Sequence, residues 1–290
     1  MITQGYLSRH FQGRSGMADA ALLDVAQDYA LKHLHDHGVF SLGIALKGGT
    51  ALRKFRAGNA GRFSTDLDFA APDADSAGLL LDTLDGAELF DVRFRLIDRK
   101  PLRAKMVVET PLGQPRIPAR VEISPRPLWL PTHLATPVAL PVHDGYEFSL
   151  PAIPAPALEE ALAEKLAAWR RRRKLRDLYD LDLFGKGTLD ETLIRRLLVL
   201  KVWHDVVNDS LGVRPFDPSD IVADIDARRL SSEDIGLLTQ QVDPVSWLAR
   251  VRARYFFVTK LDEVEQRVAR CNPGDHYEVA QLVAGLGSAP

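Results

Sequence analysis

Proline divides this chain. Eleven of its 18 prolines fall between Pro111 and Pro156. Long helices cannot form there, because proline lacks an amide donor and its ring clashes with the preceding turn. The run SPRPLWLPTHLATPVALPV therefore reads as an irregular connector or arm that wraps the body.

Periodicity differs on the two sides of this stretch. Residues 18–37 read as a helix, with Leu22, Leu23, Ala26, Tyr29, Ala30 and Leu34 on one side. Residues 43–47 read as a short buried strand ending in Gly48-Gly49, with a helical turn over about 50–55. Strand-like runs follow at Asp66–Ala70, 92–97, 104–109 and Ala119–Ser124, most of them alternating well. After Pro156 the strand signal disappears. Leu158, Leu162, Leu166 and Trp169 step along one helix face, and Thr188-x-x-Glu191 matches a capping box ahead of LIRRLLVLKVWHDVV. Further helices are expected over 218–227, 231–240, 244–270 and 275–285. The expected fold is α+β, with a mixed β-sheet and flanking helices in 1–150 and an α-helical domain in 151–290.

Composition excludes several function classes. With 46% apolar and 26% charged residues, the 290-residue chain can bury a core, and disordered or collagen-like readings fail. Its apolar runs are short and broken by charges, so no membrane span is expected. The N-terminal residues lack the apolar region of a signal peptide, and one cysteine, Cys271, forbids an internal disulfide. A cytoplasmic location is the expectation. The 37 basic and 39 acidic residues give a net charge of −2, which argues against wholesale coating of nucleic acid. Any contact with nucleic acid must come from local clustering of cations.

Four pieces carry chemistry. Lys47-Gly48-Gly49-Thr50 ends a strand and opens a helix; glycines let a backbone approach an anion closely, although a plain turn uses them too. In Arg62-Phe63-Ser64-Thr65-Asp66-Leu67-Asp68-Phe69, the two-residue pleat puts Asp66 and Asp68 on one face. Two such carboxylates repel unless a cation lies between them, and oxygen ligands of this kind suit Mg²⁺. Arg120-Val121-Glu122-Ile123 alternates likewise, so Glu122 adds a third carboxylate if its strand lies beside the first. Last, Glu164-Lys165 precedes RRRRKLRDLYDL. On one continuous helix Arg172 and Arg176 would each fall within roughly 20° of Lys165, and the three would aim cations at phosphates. A solvated helix face is the plainer alternative for the arginine run. His33 and His37 share a helix face, but no third metal ligand follows them.

Together these residues resemble the AbiEii family of nucleotidyltransferase toxins, which includes the mycobacterial MenT group and has the DNA polymerase β-type nucleotidyltransferase fold. The strings KGGTAL and RFSTDLDF are the more specific part, and EKL and RDLYDL match the family's lysine and aspartate motifs. The resemblance covers about 40–185. It implies a catalytic domain over 1–150 and a helical domain over 151–290 that completes the active-site cleft. The implied reaction transfers a nucleoside monophosphate from an NTP to an RNA hydroxyl, most often the tRNA 3′ end, so that translation stops. Asp66, Asp68 and Glu122 would hold one or two Mg²⁺ ions. Lys47, Gly48, Gly49, Thr50, Ser64 and Lys165 would bind the nucleotide, with Thr50 acting through its hydroxyl. Lys165, Asp177 and Asp180 would join the catalytic set, with both aspartates kept as candidates. A cognate antitoxin protein is implied by the family as well.

Two rival functions stay open: nucleotidyl transfer to a small-molecule hydroxyl, and a catalytically silent nucleotide-binding protein. The retained pair of repelling carboxylates argues against the second. Asp66, Asp68 and Glu122 are expected to converge within metal-bridging reach. The run Arg170–Lys174 is expected to contact the acceptor. Neither Asp68→Asn nor Lys165→Ala removes apolar core, so both variants are expected to stay folded.

Overall fold

A computed structural model describes residues 2–286 apart from 15, 213, 232–237 and 239–240. The chain forms two compact units. One takes the chain up to Leu128 together with Thr132–Pro156; the other takes Trp129–Pro131 and the helices that begin after Ala157.

The first unit opens with α1 (Gln4–His10) and α2 (Ala18–Asp36), then β1 (Ala45–Lys47), which turns directly into the short α3 (Gly48–Leu52). There follow β2 (Asp66–Ala70), α4 (Ala74–Leu84), β3 (Glu88–Leu89), β4 (Val92–Lys100), β5 (Arg103–Glu109) and β6 (Ala119–Ser124). The six strands form one mixed sheet in the order β1-β2-β6-β5-β4-β3, in which β2 and β6 run parallel and all other neighbours antiparallel. Alternation decides which face is buried. Leu67, Phe69, Phe94, Leu96, Ala104, Met106, Val121 and Ile123 point to one side and join Leu23, Leu34, Leu80 and Leu81 of α2 and α4 in the core. The other side carries the polar residues.

The proline-rich arm is more regular than expected. It contains β7 (His133–Ala135) paired antiparallel with β8 (Ile153–Ala155), and a 3₁₀ turn over Pro141–Gly145. Its aromatic residues pack inward: the Phe148 ring lies 4.9 Å from that of Tyr29, and Tyr146 donates to Asp28 at 2.6 Å.

The second unit holds α5 (Leu158–Arg172), α6 (Leu175–Phe184), α7 (Glu191–Val207), α8 (Ser219–Val222), α9 (Pro244–Arg254), α10 (Glu263–Ala269) and α11 (His276–Gly285). Trp169, Leu178, Leu197 and Trp203 are fully buried among them. Several expectations need correction here. The helix from 158 does not continue through Arg176, because Arg173 takes the left-handed conformation (φ 49°) and closes α5. Asp190, not Thr188, caps α7, accepting from the Leu193 amide at 2.9 Å. The helix expected over 218–227 shrinks to the single turn α8. That expected over 244–270 breaks after Arg254 and restarts where Asp262 and Glu265 form a reciprocal capping box. The helix expected over 231–240 falls outside the described residues except at Ser231 and Leu238. Among the described residues, no helix is long and apolar enough to cross a membrane.

Candidate active site

The sheet register assembles the acidic side of the site. Lys47 on β1 stands opposite Asp68 on β2, and Asp68 stands opposite Glu122 on β6. Arg103 on β5 stands opposite Glu122 in turn. One row across four strands thus reads Lys47, Asp68, Glu122, Arg103. Asp66 lies one pleat away on the same face, opposite Arg120. Lys47, Asp68, Leu102, Arg103, Glu122 and Ser124 line one hollow of about 360 Å³.

The turn between β1 and α3 abuts this row. Gly48 has φ +74°, and a Cβ there would lie 2.8 Å from Asp68 Cγ and 2.9 Å from Asp68 Cβ. Only glycine lets the turn pass so close to that carboxylate. At Gly49 a Cβ would lie 3.1 Å from Ser64 Oγ and 3.2 Å from the Arg62 guanidinium carbon. Ser64 and Arg62 are buried behind the turn. The Thr50 hydroxyl, expected at the phosphates, is fully buried and donates to the Asp66 carbonyl at 2.5 Å. It locks the turn to the start of β2 rather than facing outward.

Glu122 is half-exposed and leans toward Arg120, 4.0 Å away. Among the described residues no three carboxylate, imidazole or thiolate groups gather into a metal cage. The expected convergence of Asp66, Asp68 and Glu122 is therefore an alignment on one sheet face, not a closed set of ligands. Their chemistry still fits a hard divalent ion, since all three supply carboxylate oxygens from a polar face beside a glycine turn. His33 and His37 stack at 4.0 Å and make backbone hydrogen bonds instead.

A buried ion network anchors this turn from behind. Asp24 of α2 accepts from Arg53 Nε at 3.1 Å and meets His10 Nε2 at 2.8 Å, while Lys54 bonds Asp28 at 2.7 Å. Burial alone would raise the Asp24 pKa, but Arg53, Lys54 and His10 hold it well below the usual carboxylate range. Arg53 also donates to the carbonyls of Gly58 and Gly61, and Gln27 donates to that of Ser64, so the 58–64 loop is held where β2 begins.

In the helical unit, Lys165 lies 2.7 Å from Asp180 and 3.6 Å from Asp177. Arg172 grips Asp177 through two hydrogen bonds of 2.7 and 2.8 Å. Burial pushes the Asp177 pKa up, but Arg172 and Lys165 outweigh it and the net shift is downward. Both aspartates therefore face Lys165. The basic run is not a free line of cations: Arg170 donates to the carbonyls of Arg214 and Pro215, Arg171 pairs with Asp205, and Arg173 donates to the Asp220 carbonyl.

Comparison with known proteins gives the family. The family described as nucleotidyl transferase AbiEii toxin, type IV toxin–antitoxin system, matches residues 30–255. The chain belongs to the AbiEii family. The solved structure of MenT4, a nucleotidyltransferase toxin from Mycobacterium tuberculosis H37Rv, is 45% identical and superposes with a TM-score of 0.96, covering 99% of this chain and 100% of that one. JHP933 from Helicobacter pylori is a looser match at 21% identity, with 92% and 96% covered and a TM-score of 0.46. No curated protein sequence matches. This AbiEii protein is thus a nucleotidyltransferase toxin of a type IV toxin–antitoxin system, with a nucleotide substrate and an antitoxin partner.

Sequence reasoning missed two residues that lie at or behind the candidate site. Arg103 starts a strand and looks like any exposed arginine; only its register opposite Glu122 brings it to the hollow. Arg62 belongs to the RFSTDLDF string, but nothing in the string says that its guanidinium is buried behind Gly49.

Proposed function

We propose that the protein transfers a nucleoside monophosphate from an NTP to a hydroxyl of an RNA acceptor, the tRNA 3′ end, in a Mg²⁺-dependent reaction that blocks translation. The observation that carries this reading is the alignment of Asp68 with Glu122 in one hollow, with the Gly48 turn packed against the Asp68 carboxylate. The hydroxyl oxygen attacks the α-phosphorus, the bond from that phosphorus to the β-bridging oxygen breaks, and pyrophosphate leaves. Such chemistry asks the protein mainly for positioning and charge neutralisation. Asp66 and Asp68, with Glu122, would hold Mg²⁺, which when bound supplies the positive charge that neutralises the phosphates. Glu122 is half-exposed and able to take the hydroxyl proton. Gly48 and Gly49 offer backbone amides to phosphate oxygens, and Lys47 adds a point charge beside Asp68. Lys165 is assigned to the triphosphate, as the family resemblance implies, with Asp177 and Asp180 fixing its ammonium.

Incubation with each α-labelled NTP, Mg²⁺ and total tRNA tests the reading directly. Label should appear at the 3′ end of tRNA with at least one NTP. Label in aminoglycosides or simple alcohols but in no RNA would replace the acceptor class. Label in neither would leave only nucleotide binding.

A further inference from the structure

The polar face of the sheet does not end at the carboxylates. On the same pleat, Arg120 of β6 stands opposite Lys105 of β5, and Lys100 of β4 stands opposite Arg103 of β5. Arg95 of β4 lies on this face too, opposite Val107. All five cations are exposed. Like charges placed directly across strands destabilise a sheet, and this face holds two such pairs side by side. Lys105 has Asp98 as a neighbour and Arg120 has Glu122, but Arg95, Lys100 and Arg103 make no ion pair among the described residues. In a chain of net charge −2, such clustering is local and unexplained by solubility.

Position narrows the ligand. The cations begin at Arg103, inside the hollow that holds Asp68 and Glu122, and continue outward over β5 and β4. Three strand gaps of about 4.8 Å separate β2 from β4, so the track runs about 14 Å away from the carboxylates. A polyanion lying on it would have one end at the reacting site. The Gly48 turn lies at the opposite end of the row, beside Lys47, which leaves the β5–β4 side for the acceptor.

We propose that this basic sheet face binds the phosphates of the acceptor RNA's single-stranded 3′ end, through Arg95, Lys100, Arg103, Lys105 and Arg120. The proposal rests on the nucleotidyl-transfer reading and names the surface that delivers its acceptor. The arginine run at 170–173 is not that surface, since its members are held by backbone carbonyls and acids. The opposed cations are kept at a cost in stability that phosphate binding relieves.

The test uses the full chain and the double variant Arg95→Ala/Lys105→Ala, both sites lying outside the hollow. Binding to total tRNA is measured without NTP, over a range of salt concentrations. Removing one cation that neutralises a single-strand phosphate flattens the slope of log affinity against log salt by about 0.7. The double variant should therefore flatten it by about 1.4 and weaken binding near 0.1 M salt by about 25-fold. Its thermal stability should not fall, because removing Lys105 relieves its opposition to Arg120. An unchanged slope, in a wild type that does label tRNA, overturns the proposal and leaves the transfer reading standing. Wild type that neither labels nor binds tRNA overturns both. Loss of polyglutamate binding with tRNA binding intact would assign the face to an acidic protein and also overturn it.

Discussion

Gly48 passes so close to Asp68 that any side chain at position 48 would displace the carboxylate: a Cβ there meets Asp68 Cγ at 2.8 Å and Cβ at 2.9 Å. The obstacle is the whole of a short side chain, from the Asp68 carboxylate oxygen back to its Cβ, so the turn or β2 must move. The left-handed backbone at Gly48 adds roughly 1–2 kcal/mol of strain for any other residue. Gly48→Ala should therefore lower stability by about that amount and cut nucleotidyl transfer about a hundredfold, through a misplaced Asp68. Kinetics and thermal melts on the same sample check both halves. Full activity in a normally folded Gly48→Ala would show that Asp68 need not sit where the turn puts it.

Lys165→Ala should not stay folded as wild type does. The expectation that it would came from its lying outside the apolar core, but the structure buries its ammonium between Asp177 and Asp180. Removing one partner from a buried ion network typically costs about 3–5 kcal/mol. Denaturant titration should show that loss, and Lys165→Ala/Asp180→Asn should recover part of it, since the second change removes the stranded charge. Activity lost in Lys165→Ala alone therefore says little about catalysis until stability is restored.

Acid should weaken the first unit through Asp24. Its folded pKa is depressed, so its contribution is present in full above the unfolded value near 3.9 and is lost as pH falls through the lower folded value. Asp24→Asn takes the carboxylate from the buried Arg53 and leaves Lys54 with Asp28 alone, so at neutral pH it should cost about 3 kcal/mol or more. The gap between variant and wild type should narrow below about pH 4. Melting temperatures across the acid range, from neutral pH downward, measure it; a constant gap would mean that Asp24 acts through shape and not charge.

The sheet was legible where alternation is strict. ARVEIS gives β6 with the expected limits, because each buried apolar residue is followed by a polar one; DLDFA gives β2, alternating from Asp66 to Phe69 before the buried Ala70. The fold class follows from those strands and from the shift to helical periodicity after Pro156. The arm from Pro111 hid β7, β8 and the inward-facing Tyr146, whose partner Asp28 lies 118 residues away. Nothing local marks Arg173 as the end of α5, since arginine seldom takes a left-handed conformation. Nothing in LEEALAEKL sets Glu160 apart from an ordinary helix-surface acid. In the structure it is fully buried, accepts from the amides of Trp129 and Leu130, and pairs with Lys201. Register explains the rest: that Arg103 faces Glu122 and that Lys105 faces Arg120 depends on how strands align, which spacing within a strand does not specify.

Asp68→Asn tests the central claim most directly. The substitution keeps shape and leaves the apolar core intact, so circular dichroism and melting temperature should match wild type. Removing one formal charge from a phosphoryl-transfer site typically costs about 10²-fold or more in rate. Incorporation of α-labelled NTP into tRNA should fall by at least that factor, and expression of the variant should no longer arrest growth. A folded Asp68→Asn protein that transfers no nucleotide yet arrests growth as wild type does would contradict the account and make toxicity a matter of binding.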